Sequence, residues 1–429
     1  MNKMIKTLTY SLIFALTMHG CSSDSDDGTS SNNDGQDMVV ANYEFLNADG
    51  SNSVFYTGQT VRNLIINDIK GYVTSDPTIL ESMYDNDEAN QARSLTDAEN
   101  WSVATYGDIS SSDPKGKIAG KQDGSPDDYV YGFNATPDQL MTAWMADAAD
   151  GIHTSEGHDI PNMIQKLLIG TVSYYQGTSV YAAGILDQTN DPYTSAPDGI
   201  TCTIREHKWD ESFGYFGASR NYNELSIAEI KDGGNDYNGD SVIDPGSEWC
   251  NGNGVNAAKR DSDNNSEDFV NTIYDAYWTA RYLISNAGTD AEIAAQRDIV
   301  VHTWEKLMAA NTIHYIIDTQ VKLDALIADN PAHTAETCFS GAENVTSGPC
   351  YDYAKYWSEM RAYAIGLQYN SDSQIPSSTL NSVYDAMGTA PLWPGDDGAN
   401  VEAYKTALQA AASDLVSALG LSANVLTEW

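Results

Sequence analysis

Basic residues are scarce in this 429-residue chain, which has 22 lysines and arginines against 61 aspartates and glutamates. The formal net charge is −39. A surface this acidic repels phosphate backbones, so we expect no nucleic-acid partner. The same charge is compatible with binding cations. It says nothing about the fold, but a hydrophobic content of 41% supports a real core.

Several common catalytic and structural patterns are also missing. The sequence has no H-E-x-x-H, no G-x-S-x-G and no glycine-rich phosphate loop. The first absence argues against the common zinc-protease helix. Convincing runs of alternating strand pattern are absent too, and the best is the short "SVFYTG" at 53–58. These absences favour a helical protein over an α/β enzyme.

The first twenty residues have the pattern of an export signal. Met1 to Lys6 carries two lysines and no acid, and "TLTYSLIFALTM" is an apolar run too short for a stable membrane span. The run ends in "MHGC", which resembles a bacterial lipobox and predicts lipid attachment at Cys21. An ordinary secretory signal is the alternative. Two or three acyl chains would make the membrane a stable partner.

Residues 21–38 contain an acidic stretch without large apolar side chains, which predicts a disordered tether. Ser22 follows the cysteine, and by resemblance to Gram-negative sorting rules this favours the outer membrane. We therefore expect a lipid-anchored protein of the cell envelope. The remainder, 39–429, is predicted to be one helical domain with possible halves at 39–260 and 261–429.

Four cysteines remain after Cys21, and an even count in an exported protein suggests disulfides. Cys338 and Cys350 flank "FSGAENVTSGP", so we expect them to close that loop. Cys202 and Cys250 would then form a second pair. Four free thiols are the alternative. No C-x-x-C occurs, which argues against a cysteine-built zinc site.

Apolar residues recur with helical spacing through most of the chain, which predicts an all-α fold of helical bundles. The clearest helices are expected at 160–176, 266–285 and 401–419, with two more across 290–326, and long polar loops at 76–135 and 232–264.

One segment echoes another. "HKWDESFGYFG" at 207–217 aligns with "KYWSEMRAYAIG" from 355, and both contain a W-x-E pattern. The identities are Trp209 with Trp357, Glu211 with Glu359, and Tyr215 with Tyr363. A duplicated bundle explains the echo, so two pseudo-repeated bundles are predicted.

The first of these segments has the strongest chemical character. On a helix, His207, Asp210 and Glu211 lie at i, i+3 and i+4 and share one face. An imidazole and carboxylates at this spacing can hold a transition metal such as iron, or act as an acid–base pair. A solvated polar face with one ion pair is the alternative. Two rival patterns are "GIHTSE" at 151–156, expected in a loop, and "HTWE" at 302–305, expected in a helix.

The segment "DYNGDSVIDPGSE" at 236–248 predicts a calcium loop because short oxygen side chains alternate along it. Ser241 stands where the turn glycine of such loops usually sits, and the final glutamate comes one residue late. An acidic solvated loop is the alternative. The predicted calcium ligands are Asp236, Asn238, Asp240, the Val242 carbonyl, Asp244 and Glu248.

The order of "FYTGQTVRN", "HKWDESFGYFG", an acidic loop and "YWSEMRAYAIGLQ" resembles an uncharacterised family of bacterial lipoproteins, a domain of unknown function. That family is distantly similar to imelysin-like proteins, which are helical double bundles linked to iron uptake and once described as peptidases. Their G-x-H-x-x-E hallmark would place its His and Glu on His207 and Asp210. Arg205 replaces the hallmark glycine, and an aspartate replaces the glutamate.

The resemblance implies a non-enzymatic, metal-binding surface lipoprotein. Two alternatives stay open. One is a metallopeptidase using His207 and Glu211, and the other is a structural or adhesive surface protein without a transition metal.

Overall fold

Helices make up the regular structure of the protein, seen in a computed structural model that describes residues 40–96, 98–120, 125–262, 266–340 and 344–429. Over those ranges there is no β-strand, only isolated bridges. The all-α prediction is therefore confirmed. The predicted signal, Cys21 and the tether lie outside the described residues.

The α-helices in chain order are α1 (Thr57–Ser75), α2 (Leu80–Asp85), α3 (Glu88–Gln91), α4 (Tyr106–Ile109), α5 (Pro137–Asp147), α6 (Ile160–Leu168), α7 (Ile204–Phe216), α8 (Ile227–Lys231), α9 (Gly252–Ser262), α10 (Phe269–Ser285), α11 (Asp290–Asp329), α12 (Ala335–Phe339), α13 (Pro349–Leu367), α14 (Ser377–Met387), α15 (Val401–Leu419) and α16 (Val425–Glu428). Short 3₁₀ turns occur at Pro77–Ile79, Ala98–Asn100, Lys115–Lys117, Pro126–Asp128, Ile185–Asp187 and Tyr222–Glu224.

Capping residues explain where the predicted helices begin and end. Asn400 accepts a hydrogen bond from the Ala403 N–H, and Gly420 ends α15 with a left-handed φ of 63°, so the 401–419 prediction is confirmed. Helix α10 begins at Phe269, later than predicted, because Asp268 rather than Ser266 is its cap.

The prediction of two helices across 290–326 is wrong. Residues Asp290–Asp329 form a single 40-residue helix, α11, which opens with a capping box between Thr289 and Glu292. No glycine or proline interrupts its sequence. Without such a break, the backbone hydrogen bonds continue through the protein centre.

Helix α6 passes into wider π-helical turns at Ile169–Tyr174 and Gln176–Ala182. The first π-helical turn packs against α13 backbone to backbone at Gly170, where an added Cβ would lie 2.6 Å from the Gly366 Cα. Such wide turns are rare in proteins. They extend the predicted 160–176 helix to residue 182.

Helices α11 and α13 pack together at the centre, and α6, α7, α10 and α15 surround them. Trp209, Trp304 and Trp357 are fully buried in this core. A small second cluster around Tyr353 and Trp393 lies under one end of α11 and α13. Residues 40–429 form one compact unit, and the predicted duplication stays a prediction.

Within the described ranges, we find no helix whose length and apolar character would let it cross a membrane.

Candidate functional site

Helix α7 carries the histidine and carboxylates of the first predicted metal site. A capping box between Thr203 and Glu206 starts it, and Gly217, at φ 84°, ends it in the left-handed region. His207, Asp210 and Glu211 are all buried, as is Trp209, whose indole N–H donates to the Tyr277 carbonyl. The helix therefore has no solvated polar face at these positions.

His207 lies between two aromatic rings. Its ring is stacked on Phe55 and on Tyr193, with centroids 4.2 Å away in both cases. The Nε2 atom lies 3.6 Å from Glu211 Oε2. Burial lowers the pKa of His207 to about 4, so the imidazole is neutral at pH 7.

Asp210 belongs to a different group of charges. Its Oδ1 accepts hydrogen bonds from Arg281 Nε at 2.8 Å and from the Tyr43 hydroxyl at 3.0 Å. Arg281 also bonds to Glu206 at 2.9 Å and is fully buried. Burial raises the pKa of Asp210 to about 6, although Arg281 opposes this shift. Asp210 is therefore paired with Arg281 and Tyr43 and not with His207.

Glu211 stays beside His207 but already has two other partners. The Gln59 side-chain amide donates to one carboxylate oxygen at 2.9 Å, and Lys208 donates to the other at 2.6 Å. The structure thus brings together His207 and Glu211, but not Asp210. A transition-metal site here stays a prediction, with both carboxylates occupied by protein donors.

The two rival patterns are placed in a loop and a helix, as expected. His153 stacks on Phe339 and meets the Val345 carbonyl at 2.9 Å, while Glu156 points outward with its side chain 68% exposed. On α11, His302 faces Asp372 at 3.4 Å. Glu305 instead accepts hydrogen bonds from Ser373 and from the Gln374 N–H. His153 and Glu156 bind different partners, and so do His302 and Glu305, although His302 still lies within electrostatic range of Glu305.

The 236–248 loop winds around its own carboxylates. Asp236 accepts the backbone N–H groups of Gly239, Asp240 and Ser241 at 2.7, 3.2 and 2.8 Å. Asn238 accepts that of Asp240 at 2.8 Å. Ser241, at the predicted glycine position, has φ 75°. The residue is thus in the left-handed conformation that this position of a calcium loop requires.

Glu248 closes the loop from inside the protein. Its carboxylate is fully buried and accepts the N–H groups of Asn238 at 3.2 Å and Asp244 at 2.8 Å. Although Glu248 comes one residue later than usual in sequence, it still contacts the backbone at the third and ninth loop positions. In the part of the chain that the structure describes, no basic side chain pairs with it.

The cysteines confirm one predicted pair and correct the other. Cys338 and Cys350 form a disulfide. Cys202 and Cys250 are buried free thiols, and Cys250 instead donates to the Ser219 hydroxyl. They lie at opposite ends of α7, whose 13 residues span about 20 Å. A disulfide needs Cα atoms within about 7 Å, so this pair cannot form in the fold.

Only one trio of His, Cys, Asp or Glu residues within the described ranges gathers its ligand atoms within 4.8 Å: His333, Cys338 and Cys350. Two of these atoms are the bonded disulfide sulfurs. The sequence does not predict this trio, and it lacks free thiolates for a metal.

Residues 147–338 match the model of a family described as "Domain of unknown function (DUF4856)". This confirms the predicted resemblance to a family of unknown function, and the matched span holds α7, the 236–248 loop and α11. No curated protein and no solved structure matches the chain. The similarity to imelysin-like proteins and the lipid anchor stay predictions.

Proposed function

We propose that this chain is a non-enzymatic, lipid-anchored protein of the bacterial envelope whose 236–248 loop binds a calcium ion. The buried carboxylate of Glu248 carries the proposal. Burying a charged carboxylate is costly unless a cation or several donors compensate it. Two backbone N–H groups offset part of this cost, and a bound cation would offset the remainder.

Calcium suits the loop because every side chain predicted to contact the ion offers oxygen. Carboxylates, an amide oxygen and a backbone carbonyl are the ligands that hard cations prefer. Asp236, Asp240 and Asp244 would add negative charge to that of Glu248, which favours a divalent ion. No transition metal is needed for this role.

The ion would act as a structural clip. Ile243 pairs with the segment around Trp101, with backbone hydrogen bonds of 2.8 Å to Asn100 and from Ser102. The Ser247 carbonyl accepts the Arg220 N–H, just beyond the end of α7. Ordering the loop would therefore tie the segment around Trp101 to the chain just beyond α7.

Thermal unfolding tests this role. We expect millimolar calcium to raise the Tm of the wild type relative to EDTA, because a ligand that binds only the folded state stabilises it. Asp236→Asn with Asp240→Asn should remove the increase. Glu402→Gln with Asp414→Asn is the matched control, since it removes two negative charges from exposed α15 positions. A wild-type Tm indifferent to both calcium and EDTA would overturn the proposal.

The anchor has its own test. Cys21→Ser should move the protein from the membrane fraction to the soluble fraction and abolish incorporation of labelled fatty acid. Continued labelling of that variant would place the lipid elsewhere.

A further inference from the structure

A cavity of ≈ 660 Å³ opens where α1, α6, α9, α11 and α13 meet. One wall comes from residues 231–233 and 249–252. A volume of this size falls in the range of small-molecule sites. None of the predicted metal ligands lines it.

Its charge is opposite to that of the protein. Lys70, Lys166, Lys231 and Lys259 line the cavity, against two acids, Asp232 and Glu359. Four positive and two negative charges leave a net +2 within a chain of net charge −39. Four of only 22 basic residues therefore meet at one cavity, which would concentrate anions there.

The lysines are poorly neutralised by the protein. Lys166 is 9% exposed, bonds to Gln165 at 2.7 Å and lies 3.8 Å from Glu359. Lys70 donates to the neutral Asn162 side chain at 2.6 Å. Among described residues, the ammonium groups of Lys70 and Lys259 form no ion pair with a carboxylate.

The pKa values reflect this crowding. Burial, then the neighbouring Lys166, lowers the pKa of Lys70 to about 8. Burial also lowers the pKa of Lys166 and of Lys259. An anion placed among them would relieve both the lost hydration and the mutual repulsion.

The remaining lining suits the body of an organic molecule. Tyr315 and Tyr363 are stacked with centroids 5.6 Å apart, and Asn256 donates to the Tyr363 hydroxyl at 3.1 Å. Asn67, Asn251 and Asn256 bring amide groups to the wall. Lysine ammonium groups bind phosphate and carboxylate as mobile point charges.

We propose that this cavity binds a small organic anion bearing carboxylate or phosphate groups, held by Lys70, Lys166 and Lys259. This binding activity goes beyond the proposed calcium role and does not depend on it.

Isothermal titration calorimetry at fixed ionic strength tests the site with two probes, tricarballylate for carboxylates and glycerol 3-phosphate for phosphate. Glycerol is the neutral control. We expect at least one anion to bind the wild type with Kd below about 1 mM, and Lys70→Gln with Lys259→Gln to weaken it about tenfold or more. Lys405→Gln is the control variant, because Lys405 pairs with the exposed Asp324 outside the cavity.

Whichever probe binds more tightly identifies the oxyanion type. Binding of neither probe in that range, or equal binding by wild type and the double variant, would overturn the proposal.

A second variant tests the charge argument by its sign. Glu359→Gln removes a negative charge from the cavity while leaving a side chain of the same size, so anion binding should tighten several-fold. A purely structural role for Glu359 predicts unchanged or weaker binding instead, and that result would contradict the proposal. Circular dichroism of each variant confirms that it is folded.

Discussion

Two groups of buried charges lie beside the two helices that share the W-x-E pattern, and they are compensated differently. Beside α7, each guanidinium nitrogen of Arg281 donates to a partner, including the carboxylates of Glu206 and Asp210. Beside α13, Lys166 faces Glu359 at 3.8 Å across the rim of an open cavity. All guanidinium nitrogens of the first group donate within the protein, and we call it the closed group. The second, which we call the open group, has more lysine ammonium groups than carboxylates.

The difference separates a structural ion pair from a binding site. A buried charge network with every donor used specifies how helices pack and leaves nothing for a ligand. Uncompensated charge beside a cavity costs stability, and proteins retain such costs where function needs them. The similarity between α7 and α13 alone therefore does not identify the binding site. The charges and the cavity around each helix do.

The largest expected effect is on the closed group. Arg281→Met should destabilise the fold by about 3–5 kcal/mol, because it leaves two buried carboxylates without their cation. Urea unfolding at pH 7.5 measures the loss. Arg297→Met is the control, since Arg297 pairs with the more exposed Asp298 and should cost about 0–1 kcal/mol. Similar losses in the two variants would show that the Arg281 group is not a buried network.

A smaller effect concerns pH and His207. The pKa of its imidazole is about 4 when folded and about 6.5 when unfolded, so its contribution to stability is complete above pH 6.5 and is lost as pH falls towards 4. Asp210, with a raised pKa, acts in the opposite direction.

Comparing variants isolates the histidine from these other groups. Between pH 7.5 and 5, wild type should lose about 2 kcal/mol more than His207→Gln in urea unfolding. Parallel pH profiles for wild type and His207→Gln would show that His207 is readily protonated in the fold.

The smallest effect is expected at the open group. Lys166→Met keeps an apolar stem over the Tyr363 ring and removes a weakly compensated charge. Its unfolding free energy should change by less than about 1 kcal/mol, because removing the ammonium group relieves its burial and its repulsion with neighbouring lysines, which offsets the attraction lost by Glu359. A loss as large as that of Arg281→Met would remove the distinction between the two groups.

Local signals in the sequence are enough to predict most helices. The 401–419 helix is predictable to the residue because an apolar stripe runs along it, an asparagine cap precedes it and a glycine follows it. The single α11 follows from the absence of glycine and proline across 290–329, whereas the periodicity of short windows taken alone divides that range into two helices.

The sites are less predictable because their partners are distant in sequence. Helical spacing assigns Asp210 to His207, yet Arg281, 71 residues away, takes it. The excess of lysines over acids at the cavity comes from four separate chain segments and leaves no motif. The 236–248 loop is visible because all its side chains lie within thirteen consecutive positions.

The wall of the cavity begins where the predicted calcium loop ends. Gly234 pairs with Trp249, and the Cys250 N–H donates to the Gly233 carbonyl at 2.8 Å, so one short ladder joins Glu248 to the lysine cavity. Two ligands that order the same backbone segment are thermodynamically linked, and the linkage is reciprocal. Any change that calcium in the loop makes in the affinity for the anion must therefore equal the change that the anion makes in the affinity for calcium.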